Sequence, residues 1–216
     1  GGIPENVLCS RPQLPAHPVS TWGSLDTGYD PAEFARAVGL FARAADRFRD
    51  VETYRLDLVA FRVQALSNEA RGVSDELARA AADRNRVAFE AAAGRFLGLG
   101  RATDQLLDTE PFFRLATYRD QALRYAKTAE ERTACLRNAM TLVTYWGGGD
   151  RNSEEVHDYA YKAWAGMMTS YYLKRWEMYL DYVRGRWDGG GAAAPDFFAW
   201  ERGWVDARCA AAAQAP

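Results

Sequence analysis

Cysteine is scarce and unpatterned in this 216-residue chain: Cys9, Cys135 and Cys209 are an odd number with no Cys-x-x-Cys spacing. That excludes a dense disulfide framework and a zinc site of ordinary spacing, leaving at most one bridge with a spare thiol. No apolar run reaches the roughly 18 residues of a membrane span. Neither positive nor negative residues are in marked excess. The formal net charge of -2 gives no handle for nucleic acid or an anionic membrane as partner. The start, Gly1-Gly2-Ile3-Pro4, has neither the basic region nor the apolar stretch of a signal peptide, nor an initiating methionine. A mature or trimmed fragment is the expectation. There is no Gly-x-Ser-x-Gly elbow, and the only histidines are His17 and His157. One Glu-x-x-His, Glu154 to His157, has no second copy, so a di-metal bundle site is not supported. Gly147 to Gly149 precede no Gly-Lys-Ser/Thr, which removes a phosphate loop. No cofactor and no metal ligand set is read here.

What is present is an ordinary globular balance, 48% hydrophobic and 26% charged, with unusual aromatic wealth: seven Trp and eleven Tyr. Four prolines between Pro4 and Pro18, with Gly23 and Gly28 behind them, make residues 1–29 an irregular connector. Asp30-Pro31-Ala32-Glu33 then reads as a capping box, and Phe34, Val38, Phe41, Ala45 and Phe48 as one buried helical face. A second helix is expected from Val51, with Tyr54, Leu58, Phe61 and Ala65 inward and a break near Gly72 and Ser74. An Ala-rich helix follows from Leu77 to about Leu107, and another opens at Pro111. Thr128-Ala-Glu-Glu131 is a second capping box, its helix running to Tyr145 or Trp146. After the glycines, Glu155 to Trp187 is expected as the longest aromatic-rich helix, and Pro195 to open the last. No alternating strand pattern appears. The fold class is all-α: an irregular connector over 1–29, then a bundle of six or seven helices over 30–216, without a repeat of fixed period.

Two carboxyl groups flanking a bond are what glycoside hydrolysis needs, and no such pair stands out. Asp57, between Leu56 and Leu58, is the acid to inspect, with pairing to Arg55 or Arg62 the commoner outcome. Tyr161, Trp164, Met168, Tyr172 and Trp176 share one helical face, which reads first as a packing seam. Trp146 differs. At a helix end beside glycines, its ring can present a face to a ligand, as sugar-stacking tryptophans do.

The order Asn138-Ala-x-x-x-Val143-Thr-x-Trp146-Gly, Asp158-Tyr159-Ala-x-Lys162-x-Trp164-Ala-Gly166, Tyr171-Tyr172-x-x-Arg175-Trp176 resembles the C-terminal domain of α-N-acetylglucosaminidases, glycoside hydrolase family 89. Upstream, Glu5-Asn-Val-Leu-Cys9-Ser-Arg11-Pro12, Ser20-Thr-Trp22-Gly23, Tyr29-Asp30-Pro31 and Tyr54-Arg-Leu-Asp57-Leu-Val59 extend the resemblance over most of residues 5–187. The resemblance implies a helical domain that packs on an upstream TIM-like barrel carrying two catalytic glutamates. It implies no catalytic residue in this chain. Terminal α-linked N-acetylglucosamine would be the substrate, and the location secreted, periplasmic or lysosomal. Carried over, Trp146 and Val143 would line one wall of the substrate pocket with Tyr159 nearby, while Arg175 would anchor Asp158 or a neighbouring carboxylate. An apolar patch is expected around residues 5–25 and 143–160, where the barrel belongs. The pattern departs at Met140-Thr141-Leu142, where the family commonly has Arg-Asn-Gln, and at Gly148, Ala163 and Lys174. The departure at 140–142 removes polar groups from the expected interface. The alternative is a stand-alone helical carbohydrate-binding or protein-interaction domain descended from that family.

Overall fold

The computed structural model describes residues 5–20, 23–147, 150, 155–191 and 193–213, with side chains described up to Ala211. Trp22, Gly148, Gly149 and Glu154, named above, lie outside them. Among the described residues there are eight α-helices and no strand. They are α1 (Pro31–Ala42), α2 (Ala45–Phe48), α3 (Glu52–Ala82), α4 (Arg86–Leu107), α5 (Leu115–Leu123), α6 (Ala129–Leu142), α7 (Leu173–Trp187) and α8 (Phe197–Ala213). The all-α expectation holds.

Side-chain caps set several of the starts. Asp30 accepts from the Ala32 N–H at the head of α1, with Pro31 at the first helical position. Glu33, expected to reach back, pairs with Arg36 instead. Thr128 and Glu131 form the full reciprocal box on α6. The one long first helix is in fact two pieces, α1 and the single turn α2, and of its expected inner face only Val38 is fully buried.

The expected break at Gly72 and Ser74 does not occur. α3 runs through both, and Ser74 settles its hydroxyl on the Arg71 carbonyl of its own helix. The chain turns instead at 83–85, where Arg84 takes φ 51° and Asn85 caps α4 through the Ala88 N–H. A three-residue turn lays α3 and α4 back to back as a helical hairpin, and that hairpin is the most extensive contact in the fold. Asp57 is exposed on α3, and Arg55 pairs with Glu110 at 2.8 Å rather than with it.

The largest correction concerns residues 155–187. They are not one helix. The chain from 157 to 166 is irregular, a π-helical turn covers Met168–Tyr172, and only then does α7 begin. Asp158 (φ 56°) and Gly166 (φ 81°) are left-handed, which no continuing helix tolerates. The start is capped from α4: the Asp104 carboxylate accepts from the Gly166 N–H at 2.8 Å and the Thr169 N–H at 3.2 Å. Met168, Tyr172 and Trp176 do reach the core, while Tyr161 and Trp164 pack on it from the irregular segment.

α4 and α7 approach closely because Gly100 has no side chain: a Cβ there would stand 2.4 Å from Leu173 Cδ2. Trp176 then meets Phe96 edge-on at 4.6 Å and Trp187 meets Phe89 at 4.7 Å. The connector is irregular as expected, yet it turns inward. Val7, Leu8 and Cys9 form a buried 3-10 turn against α3 and the π-helical turn. Glu5 holds it by accepting from the Val19 N–H (2.6 Å) and the Ser20 hydroxyl (2.6 Å), in space that a side chain at Gly23 would fill. The exposed apolar patch expected at 5–25 is therefore not seen: among the described residues Pro15 is the exposed apolar side chain there, and the others are buried or half-buried. Of 143–160, Tyr159 is the large hydrophobic left exposed. All three cysteines are free.

Candidate functional site

α6 ends at Leu142, three residues before the sequence places its end, and the chain folds under itself through Val143, Thr144 and Tyr145, all buried. Thr144 ties its hydroxyl to the Met140 carbonyl at 2.7 Å, and the Trp146 N–H returns to the Thr141 carbonyl at 3.0 Å. Trp146 closes the helix in the left-handed region, φ 43°. For a bulky side chain that conformation is costly, on the order of 1–3 kcal/mol, and persists only where the surroundings impose it.

The surroundings that impose it come from the irregular segment. The Asp158 N–H donates to the Thr144 carbonyl at 2.7 Å, pinning residues 157–159 to the end of α6. Tyr159 then lies against Trp146, ring centroids 5.0 Å apart at 59°. Tyr159 is 51% exposed and Trp146 half-buried, so the pair forms an aromatic surface at the helix end. Of the three residues carried over as a pocket wall, the structure brings these two together. Val143 is 2% exposed and belongs to the core behind them.

Beneath the pair is a buried ion network. Arg175 Nη1 donates to Asp158 Oδ2 at 2.7 Å and to Glu201 Oε1 at 2.6 Å, and its Nη2 donates to the Cys9 carbonyl at 2.7 Å. Arg11 adds a second guanidinium to Glu201, through Nε at 3.0 Å and Nη2 at 2.6 Å. His157 Nδ1 lies 3.0 Å from Asp158 Oδ2. Two arginines thus balance two carboxylates, the arrangement that buried charge requires. The Arg175 guanidinium also stands 4.6 and 5.2 Å from the ring centres of Tyr171 and Tyr172. The π-helical turn presents those two consecutive rings inward together. Burial opposes ionisation of Asp158, but the Arg175 charge and the His157 hydrogen bond outweigh it and hold its carboxyl below the usual range. Burial pushes the Cys9 thiol well up, so it stays neutral.

These acids cannot serve glycoside hydrolysis. Asp158 and Glu201 are 0% exposed and committed to arginines, whereas a general acid must reach the leaving oxygen. Among the described residues no group of three or more His, Cys, Asp or Glu is placed to hold a metal. No helix there is long and apolar enough to cross a membrane. Arg175 anchors Asp158 and a second acid at once. Glu201 was not singled out from the sequence. Its signal was there: it sits on the apolar stripe Phe198, Trp204, Val205 and Cys209 of α8, where an unpaired acid would be excluded.

Comparison with known proteins places this geometry. Residues 1–215 match the family model described as alpha-N-acetylglucosaminidase (NAGLU) C-terminal domain. The human alpha-N-acetylglucosaminidase is 28% identical over 182 residues, 83% of this chain and 23% of that protein. A family 89 glycoside hydrolase from Clostridium perfringens, solved with PUGNAc, superposes with a TM-score of 0.87 at 30% identity, over 94% of this chain and 23% of that one. A form of the Clostridium perfringens enzyme solved with its substrate GlcNAc-alpha-1,4-galactose gives the same TM-score at 31% identity, with the same coverage. The chain spans about a quarter of the length of the relatives it matches.

Proposed function

We propose, from the premise that this chain belongs to the family of α-N-acetylglucosaminidase C-terminal domains, that it forms one wall of the substrate pocket of an exo-acting α-N-acetylglucosaminidase. The catalytic glutamates would stand on a barrel domain of the same polypeptide, and this helical domain would pack against it without catalysis of its own. The observation that carries the reading is Trp146: a strained, half-exposed indole at a helix end, tilted against Tyr159 and followed by Gly147 at φ 112°. Strain at a partly open aromatic is tolerated where the ring's placement is used.

In this arrangement the Trp146 and Tyr159 rings offer an apolar face to the terminal sugar, whose C–H groups pack on aromatic surfaces. Val143 supports the turn from the core side. The buried network fixes Asp158, and through it the backbone that carries Tyr159. Similarity to an enzyme solved with GlcNAc-alpha-1,4-galactose supports terminal α-linked N-acetylglucosamine as the group recognised.

The test is Trp146→Ala in the full-length polypeptide, assayed on an aryl α-N-acetylglucosaminide. An anchoring aromatic carries about 2–4 kcal/mol, so kcat/KM should fall by about 30- to 700-fold with the melting temperature nearly unchanged. Unchanged kinetics with a lowered melting temperature would make Trp146 a packing residue and refute the wall.

A further inference from the structure

A cleft of about 790 Å³ opens between α5, α6 and the end of α8, away from Val143, Trp146 and Tyr159. Its volume is that of a small-molecule site, typically about 300–1,000 Å³. The floor is apolar. Leu115, Leu136, Met140 and Ala165 line it, and all four are buried core residues. Arg132, Leu136 and Met140 lie four residues apart along α6, so one helical face turns its basic and apolar groups into the same space.

The charges around the cleft do not all cancel. Arg114 is paired with Asp108 and Arg119 with Asp120. The Asp104 carboxylate is occupied by the N–H groups of Gly166 and Thr169. Arg132 and Arg208 have no carboxylate within ion-pair distance among the described residues. Arg132 Nε is buried without a hydrogen-bond partner there. Arg208 donates to the Ser170 hydroxyl at 2.9 Å and lies 3.3 Å from the centre of the Trp204 ring, which orients its guanidinium without neutralising it. Burial lowers the Arg208 pKa to about 10, the mark of a cation short of a counter-charge.

Two guanidinium groups with no ion-pair partner among the described residues, in a cleft also lined by aliphatic side chains, define the missing partner. We propose that the cleft binds a small organic carboxylate with an apolar body. Arg132 and Arg208 take the carboxylate oxygens, and the body lies on Leu115, Leu136 and Met140. Guanidinium presents paired donors in the geometry a carboxylate accepts, and removal from water strengthens such bonds.

Isothermal titration of the full-length polypeptide with hexanoate, 1-hexanol and acetate tests this. Hexanoate should bind saturably and at least ~10-fold more tightly than 1-hexanol, which lacks the charge, or acetate, which lacks the body; tenfold is the smallest gap that either contact should produce. Arg132→Gln and Arg208→Gln should each weaken hexanoate by ~10-fold or more, the loss of one charge-assisted pair. Should Arg208→Gln misfold, Arg132→Gln carries the test, since its side chain makes no hydrogen bond among the described residues. Equal binding of 1-hexanol, or hexanoate binding that ignores Arg132→Gln, overturns the proposal. So does the absence of saturable hexanoate binding together with a lowered melting temperature in Arg132→Gln, which would put a protein carboxylate in the cleft.

Discussion

Arg175→Met should be the most damaging single polar change in the domain. The substitution keeps much of the volume and removes three hydrogen bonds of 2.6–2.7 Å, to Asp158, Glu201 and the Cys9 carbonyl. Both carboxylates are 0% exposed, so water cannot replace what is lost. Among the described residues, the Glu201 carboxylate keeps Arg11 and the Asp158 carboxylate keeps only His157. Removing one partner of a buried pair costs about 3–5 kcal/mol. Native-state amide exchange along α7, followed in the full-length polypeptide, would then accelerate by about two to four powers of ten. The pH dependence carries the sign of the argument. In the wild type Asp158 titrates below its unfolded value, so its contribution is fully present above about pH 4 and is lost as pH falls through the depressed pKa. Without Arg175, burial is left to push the Asp158 pKa up, so protonating it removes an uncompensated charge. The gap between variant and wild type should therefore narrow as pH falls. A loss under about 1 kcal/mol at pH 7, or a gap independent of pH, would refute the reading of a balanced buried network.

Two further substitutions test the packing that positions the site. Trp176→Ala removes a fully buried ring that meets Phe96 at 4.6 Å, and should cost about 3–5 kcal/mol in a denaturant titration; unchanged stability would mean the α4–α7 seam is misassigned. Asp104→Ala removes the cap that α4 supplies to the π-helical turn, and should cost about 1 kcal/mol with exchange accelerated at Gly166 and Thr169 before the rest of α7; uniform acceleration would argue against a local cap.

The legible parts of the fold are those decided by neighbours in sequence. Asp30 with Pro31, and Thr128 with Glu131, satisfy helix N–H groups two or three residues away, so the chain announces α1 and α6 itself. The turn at 83–85 was missed because its left-handed residue is Arg84, with no glycine to mark it. Residues 155–187 were misread for a different reason. Tyr161, Trp164, Met168, Tyr172 and Trp176 match a helical period, yet the first two stand in irregular chain. What stops a helix there is Asp158, held left-handed by an arginine 17 residues on, and what starts the next is a carboxylate 62 residues back. Neither device leaves a local signature. The pairing of Trp146 with Tyr159 is similar: the family pattern named both residues, and only the fold places their rings 5.0 Å apart.

The same non-local logic explains why the family's motifs lie so far apart along the chain. Arg11, Asp158 and Arg175 come from three separate motifs, and with Glu201 they meet in one cluster from which water is excluded. Charges in such a place are tolerated only as a complete set, because each missing member leaves another buried and uncompensated. The set therefore has one arrangement of lowest energy, and that arrangement dictates the backbone at Asp158. Tyr159 follows directly in the chain, and the Asp158 N–H is already bound to the end of α6, where Trp146 is held left-handed. The conformation of an exposed aromatic pair is thus set by ionic bonds inside the core rather than by contacts at the surface. A surface pair fixed from within keeps its shape while its outer side stays exposed, which is the property the proposed pocket wall requires.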